Sequence, residues 1–285
     1  MKKGMTDKNN YQEVTQHYDS LNLIKKIEDA LALQQKTFSS ITLQDLAGFD
    51  EMHIGGKPAS RHLGKKANLQ PGSLVLDVGS GIGGPARLLA YEFGLQVVGL
   101  DLTASYCQLA AMLTRSVGID NVTGFINGNA LRLPFKSKSF DAVWTQHCAM
   151  NIKEKQRLYQ EFSRVLKPTG KLLIHDVTAG KNKPVIYPAP WASTKENSFL
   201  ETPENLKSIL VQSGFQFDSW ENITENALAW FESLKNRKTT STSPTLSQKL
   251  VLDENLKLRA KNVRKNLQEG RINVIEAICR PSISP

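Results

Sequence analysis

Residues 74–90 read LVLDVGSGIGGPARLLA. A hydrophobic run ends at Asp77, four glycines fall within the six positions 79–84, and an apolar-periodic segment follows. A short apolar run, a glycine-dense turn and a periodic segment predict strand, tight loop and helix. Loops of this kind hold nucleotides, because glycine lets the backbone approach a ligand closely.

The rest of the chain supplies the context that such a unit needs. QVVGLDL (96–102) predicts a second strand, with a helix from about 104 to 117. VTGFING (122–128) and SFDAVWTQH (139–147) predict the third and fourth strands. EKQRLYQEFSRVL (154–166) has helical spacing, stopped by Pro168 and Gly170, and GKLLIHDV (170–177) predicts the fifth strand. A helix over 203–215 leads to a sixth strand, residues 224–270 are mainly helical, and GRINVIEAICRP (270–281) closes as the last strand. Upstream, residues 11–36 carry helical spacing and a short helix is expected over 60–68. The fold class is therefore α/β: a Rossmann-like, seven-stranded, mostly parallel sheet with helices on both faces. An N-terminal helical segment and a C-terminal helical cap insertion complete it. The expected divisions are 1–69, a substrate-side lid; 70–223, the core; 224–270, the cap; and 271–285, the final core strand and tail. TTSTSPTLS (239–247) is the expected mobile linker.

Composition bounds the partners. The 285 residues are 40% hydrophobic and 22% charged, ordinary for a globular protein. No run of 18 apolar residues occurs, so no membrane span is expected. The start lacks an apolar stretch after its lysines, and three cysteines, Cys107, Cys148 and Cys279, lie far apart. Both features suit a cytoplasmic chain. The net charge of +9 concentrates in 231–271, where ten Lys/Arg face four Asp/Glu. No aromatics interleave these lysines, so a solvated helix face is expected rather than a nucleic-acid surface.

GSGIGG with Asp101, 22 residues after Gly79, satisfies a dinucleotide fingerprint, and on that ground NAD and S-adenosylmethionine fit equally well. Asp77 separates them. It ends the first strand, where a pyrophosphate would meet its carboxylate at a cost of roughly 4 kcal/mol for unit charges 4 Å apart at an effective dielectric of 20. S-adenosylmethionine carries a sulfonium and an ammonium instead, and a carboxylate favours both.

Four motifs in order then resemble the class I S-adenosylmethionine-dependent methyltransferases: VLDVGSGIGG, GLDLTA (99–104), GNALRLPFKSKSFDAVWTQH (128–147) and RVLKPTGKLLIHD (164–176). The resemblance covers about residues 45–220. It implies cofactor contacts at Asp77, Gly79, Ser80, Gly81, Asp101 (the ribose acid), Leu102, Asn129, Ala130 and Gln146. Asn129 stands where the family commonly has Asp; its carbonyl oxygen would accept from the adenine amino group without the charge. The look is to the small-molecule branch that includes sarcosine/dimethylglycine, phosphoethanolamine and quinone methyltransferases. N-methylation of an amine or amino acid is the first expectation. The alternatives are a quinone or other O or C acceptor, RNA or protein, and last a nicotinamide-dependent dehydrogenase.

On the acceptor side, His147 is expected as base or substrate anchor, with Tyr18, His53 and Trp191 as further substrate contacts. His175 and Asp176 stand at the edge of the same pocket. NKPVIYPAPWAS (182–193) falls where a lid loop should be, stiffened by three prolines. His, Asp and Cys show no ligand spacing, so no metal is expected. The expected partner is a small molecule, and a homodimer is compatible with the sequence.

Overall fold

In the computed structural model the described residues are 23–47, 49–182, 184–236, 246, 248–251 and 255–282. Seven strands form one sheet: β1 (Leu74–Val78), β2 (Gln96–Asp101), β3 (Thr123–Asn127), β4 (Phe140–Gln146), β5 (Leu166–Ala179), β6 (Phe215–Asn222) and β7 (Ile272–Pro281). Their order is β3-β2-β1-β4-β5-β7-β6, and β7 runs antiparallel to both β5 and β6. The order reverses between β1 and β4, which opens a crevice at the carboxyl ends of those two strands.

Side-chain alternation explains why helices cover both faces. Leu76 and Val78 of β1, with Leu172 and Ile174 of β5, pack with Leu158 and Phe162 on one side of the sheet. Val75 and Leu173 point the other way, against Leu63, Ala86, Leu89 and Trp144. Successive strand residues alternate faces, so a strand buried on both reads as a near-continuous apolar run.

The helices are α1 (Leu23–Ala32), α2 (Leu43–Leu46), α3 (Gly56–Ala67), α4 (Gly84–Phe93), α5 (Ala104–Ser116), α6 (Lys155–Val165), α7 (Pro203–Gln212), α8 (Thr224–Asn236) and α9 (Leu256–Gln268). The last two lie between β6 and β7, as the sequence predicts. No helix among the described residues is long and apolar enough to cross a membrane. Of the periodic stretch 11–36, only the part from Leu23 is described.

Two boundaries differ from the sequence expectation for local reasons. Helix α3 begins at Gly56, ahead of the expected residue 60, because Gly55 caps it at φ 88°. Glycine adopts that left-handed turn without strain. Strand β5 begins at Leu166, ahead of Gly170. Phe140 pairs with Leu166 and Ala142 with Lys171, so residues 167–170 form an irregularity opposite Asp141. Pro168, which has no N–H to give, is accommodated inside that irregularity rather than in a loop.

Candidate active site

The crevice holds a cavity of about 190 Å³ whose walls come from both ends of the switch point. One wall is the turn after β1. Gly79, Gly81 and Gly83 take φ values of 78°, 53° and 84°, a path closed to most other residues. A Cβ on Gly79 would lie 2.8 Å from the side chain of Cys148. The Gly79 and Ser80 amides donate to the Leu100 carbonyl at 2.8 and 3.2 Å, tying the turn to β2. Asp101 then holds the turn by its carboxylate: Oδ2 accepts from the Gly81 amide at 2.8 Å and Oδ1 from the Thr103 amide at 2.9 Å.

Asp77 and Ser80 are left over. Both are buried, and Asp77 Oδ2 and Ser80 Oγ have no hydrogen-bond partner among the described residues. Burial, with the nearby Asp101 charge second, pushes the Asp77 carboxyl up to about 8. An orphaned buried acid is costly unless a cation or donor meets it. A ligand carrying a sulfonium and an ammonium supplies that charge, and one carrying a pyrophosphate does not. The donor set and the glycine turn therefore fit S-adenosylmethionine.

Every predicted cofactor residue, Asp77, Gly79, Ser80, Gly81, Asp101, Leu102, Asn129, Ala130 and Gln146, lines the cavity. Besides Asp101, two of these side chains are also engaged by the protein. Asn129 Oδ1 accepts from the Leu131 amide at 2.8 Å, so one of its two lone pairs remains for a ligand. The Gln146 carboxamide is engaged throughout: Oε1 faces Trp144 Nε1 at 2.9 Å and Ser60 Oγ at 3.1 Å, and Nε2 lies 3.2 Å from His53 Nε2.

The other wall is made of side chains from distant segments. His53, His147 and His175 bring their rings together, with centroids 6.0, 5.5 and 5.3 Å apart, and His147 stacks on His175 at 23°. His53 and His147 line the cavity; His175 lies behind them, its Nε2 3.0 Å from the Ile54 carbonyl. Burial first, and His175 second, lowers His53 to about 3 and holds His147 well below the usual imidazole range. Both rings are thus neutral near pH 7. His147 sits at φ 49°, a left-handed conformation that a non-glycine residue adopts where surrounding structure enforces it. Its amide donates to the His175 carbonyl at 3.0 Å. Ser60 Oγ, 3.1 Å from His53 Nε2, is 2.8 Å from the buried Glu51, whose carboxyl burial pushes up to about 8.

Trp191 also lines the cavity, nearly fully buried, its Nε1 donating to Ser198 Oγ at 2.9 Å. Its loop is stitched to α9. Arg259 donates to the Ala189 carbonyl, Asn262 to that of Pro188 at 2.9 Å, and the Asn266 side chain bridges both backbone groups of Ile186. Tyr18 and most of the linker expected at 239–247 lie outside the described residues.

Sequence reasoning missed Met52, Cys148, Asn151 and Glu154 as lining residues; Met150, buried in the core, faces the cavity as well. Met52 and Cys148 had an accessible signal, since they adjoin His53 and His147 directly. His62, Glu221 and Glu276 meet away from the pocket, where the Lys66 ammonium pairs with both carboxylates. They come from three elements, which hides them from a search for ligand spacing.

A sheet of this order, with a glycine turn at the switch point and an acid ending β2, is the class I methyltransferase fold. The sequence profile described as "Methyltransferase domain" matches residues 76–174. The phosphoethanolamine N-methyltransferase 1 of Zea mays is 32% identical over 197 residues, 69% of this chain and 39% of that protein. The glycine/sarcosine/dimethylglycine N-methyltransferase of Actinopolyspora halophila is 29% identical over 160 residues, 56% of this chain and 28% of that one. The chain thus spans roughly a third of the length of these curated relatives. A solved phosphoethanolamine N-methyltransferase 2 of Haemonchus contortus, in complex with phosphomonomethylethanolamine and S-adenosylhomocysteine, superposes with a TM-score of 0.66 at 25% identity. It covers 90% of this chain and 60% of its own. The chain carries a class I, S-adenosylmethionine-dependent methyltransferase domain.

Proposed function

We propose that this chain transfers a methyl group from S-adenosylmethionine to nitrogen in a small metabolite, an amine or amino acid. The observation that carries the reading is the orphaned Asp77 carboxyl, which opens into the same cavity as His53 and His147. The two curated relatives named above are both N-methyltransferases, which supports nitrogen as the acceptor atom.

S-adenosylmethionine, when bound, supplies a methyl group on a sulfonium that leaves as an uncharged thioether. The chain's own residues align and enclose. Asp77, Gly79, Ser80 and Gly81 would hold the charged end, Asp101 and Leu102 the ribose, and Asn129 and Ala130 the adenine edge; Gln146 stands where cofactor and acceptor meet. His53 and Trp191 would wall the acceptor side and exclude water. His147, neutral near pH 7 and with its buried Nε2 unpartnered among the described residues, would anchor the acceptor nitrogen by a hydrogen bond in line with the methyl group. Residues 1–69 and 224–270 would serve as lid and cap on the 70–223 core, with 271–285 completing the sheet.

A thermal-shift comparison of S-adenosylmethionine with NAD tests the cofactor, and labelled methyl transfer to a metabolite panel tests the acceptor. Stabilisation by NAD alone, or label accumulating on tRNA or protein while the panel stays blank, would sink the proposal.

A further inference from the structure

We infer that the acceptor taken by this pocket carries no phosphate or carboxylate: it is a neutral or cationic amine with an otherwise apolar body. This rests on the methyl-transfer reading and divides the amine from the amino acid and the phosphobase. Among the described residues, no lysine or arginine lies on the cavity wall, whereas the acids Asp50 and Glu154 do, besides Asp77 and Asp101, which the proposed cofactor would meet.

The buried cations around the cavity are committed elsewhere. Arg87 donates to Asp50 at 2.7 Å and to the Ile82 carbonyl at 2.8 Å. Lys155 donates to the carbonyls of Ala149 at 2.9 Å, Ile152 at 2.7 Å and Phe199. Arg259 is held by the Ala189 carbonyl and by Ser193. Turning any of them toward a ligand would strand buried acceptors, and that penalty would offset the new hydrogen bond. His53 and His147 bring no charge near pH 7, for the reasons of burial given above. An anion entering here would lose its hydration and find no lysine or arginine in exchange, whereas an amine would meet a wall carrying Glu154 and the neutral faces of Trp191 and the two imidazoles.

Matched probes decide the matter. Protein loaded with S-adenosylhomocysteine is titrated calorimetrically with N-methylethanolamine and its phosphate ester, then with N-methylbenzylamine and its para-carboxylate. The uncharged-tail member of each pair should bind at least tenfold more tightly than its anionic twin. Equal or tighter binding by the anionic members overturns the inference, and so does failure of every probe to bind folded protein. S-adenosylhomocysteine binding is read first. Its absence would sink the methyl-transfer reading alone, and the same pairs run on unloaded protein would still settle the charge preference.

Discussion

Along the carboxyl ends of β1 and β2 the cavity wall is mostly backbone, whereas beyond β4 it is mostly side chains. The first half is shaped by positive-φ glycines and amides bonded to Asp101, all within residues 77–103. The second gathers His53, His147, His175 and Trp191 from separate segments and leans on a loop pinned to α9. A backbone cradle tolerates little variation, because each glycine is fixed by sterics. A side-chain wall can be rebuilt residue by residue. On the proposed reading, cofactor use falls in the first half and acceptor choice in the second, and each prediction strikes at one half or at the joint between them.

The largest effect is expected at the joint. Arg87, on α4 after the glycine turn, donates to Asp50, which belongs to the segment carrying Met52 and His53. Both partners are buried. Arg87→Met would leave Asp50 without its countercharge, at a cost of about 3–5 kcal/mol in urea unfolding. A loss below about 1 kcal/mol would mean that the two halves are not locked together here.

His147→Ala comes next. Removal of this anchor should lower turnover of the identified acceptor by about 100-fold. Affinity for S-adenosylmethionine should stay within about 0.5 kcal/mol, as for a change outside the cofactor wall. Because the imidazole is held neutral, wild-type turnover should show no histidine-dependent fall between pH 7 and pH 6. Equal losses in turnover and cofactor affinity would erase the division of labour.

Asp101→Ala strikes the cofactor half alone. Calorimetric affinity for S-adenosylmethionine should weaken by about 1.5–3 kcal/mol, the scale of hydrogen bonds to a charged group. Part of that loss would come from the turn, since Gly81 and Thr103 lose their acceptor. Unchanged affinity would remove Asp101 from the ribose role.

The same contrast explains what could be read from the chain before its structure. The sheet was legible because apolar runs and helical spacing repeat along 74–177, and the proposed cofactor residues could be named as one cavity wall because they lie in short, ordered motifs. The acceptor wall was half legible. His53, His147 and Trp191 could be named, but nothing in their spacing shows that His175 would stack behind His147 or that Gln146 would be consumed by Trp144 and Ser60. Asn129 shows the remaining limit: its type announces an acceptor, while the bond to the Leu131 amide exists only once the turn has formed. The early start of β5 was hidden because Pro168 and Gly170 signal a break, and only pairing with β4 reveals that the break lies inside a strand.

The smallest effect is the most diagnostic of the cofactor half. Burial raises the Asp77 carboxyl from 3.8 to about 8, so in the free protein at pH 7 it is mostly protonated. A raised folded-state value means that its contribution to stability is full below the unfolded value and is lost as pH rises through about 8. Thermal stability of the free protein should therefore decline from pH 6 toward pH 9. A cationic ligand favours the carboxylate, so binding should expel a proton below pH 8 and affinity should rise with pH over that range, the opposite direction. The slope is bounded by one proton, tenfold per pH unit, or about 1.4 kcal/mol. Calorimetry in two buffers of different ionisation enthalpy reads the released proton, and Asp77→Asn should abolish both the release and the slope. A flat affinity between pH 6 and 8 with no proton released would show that Asp77 does not meet the cation, and the charge argument that separates this site from a dinucleotide site would fail with it.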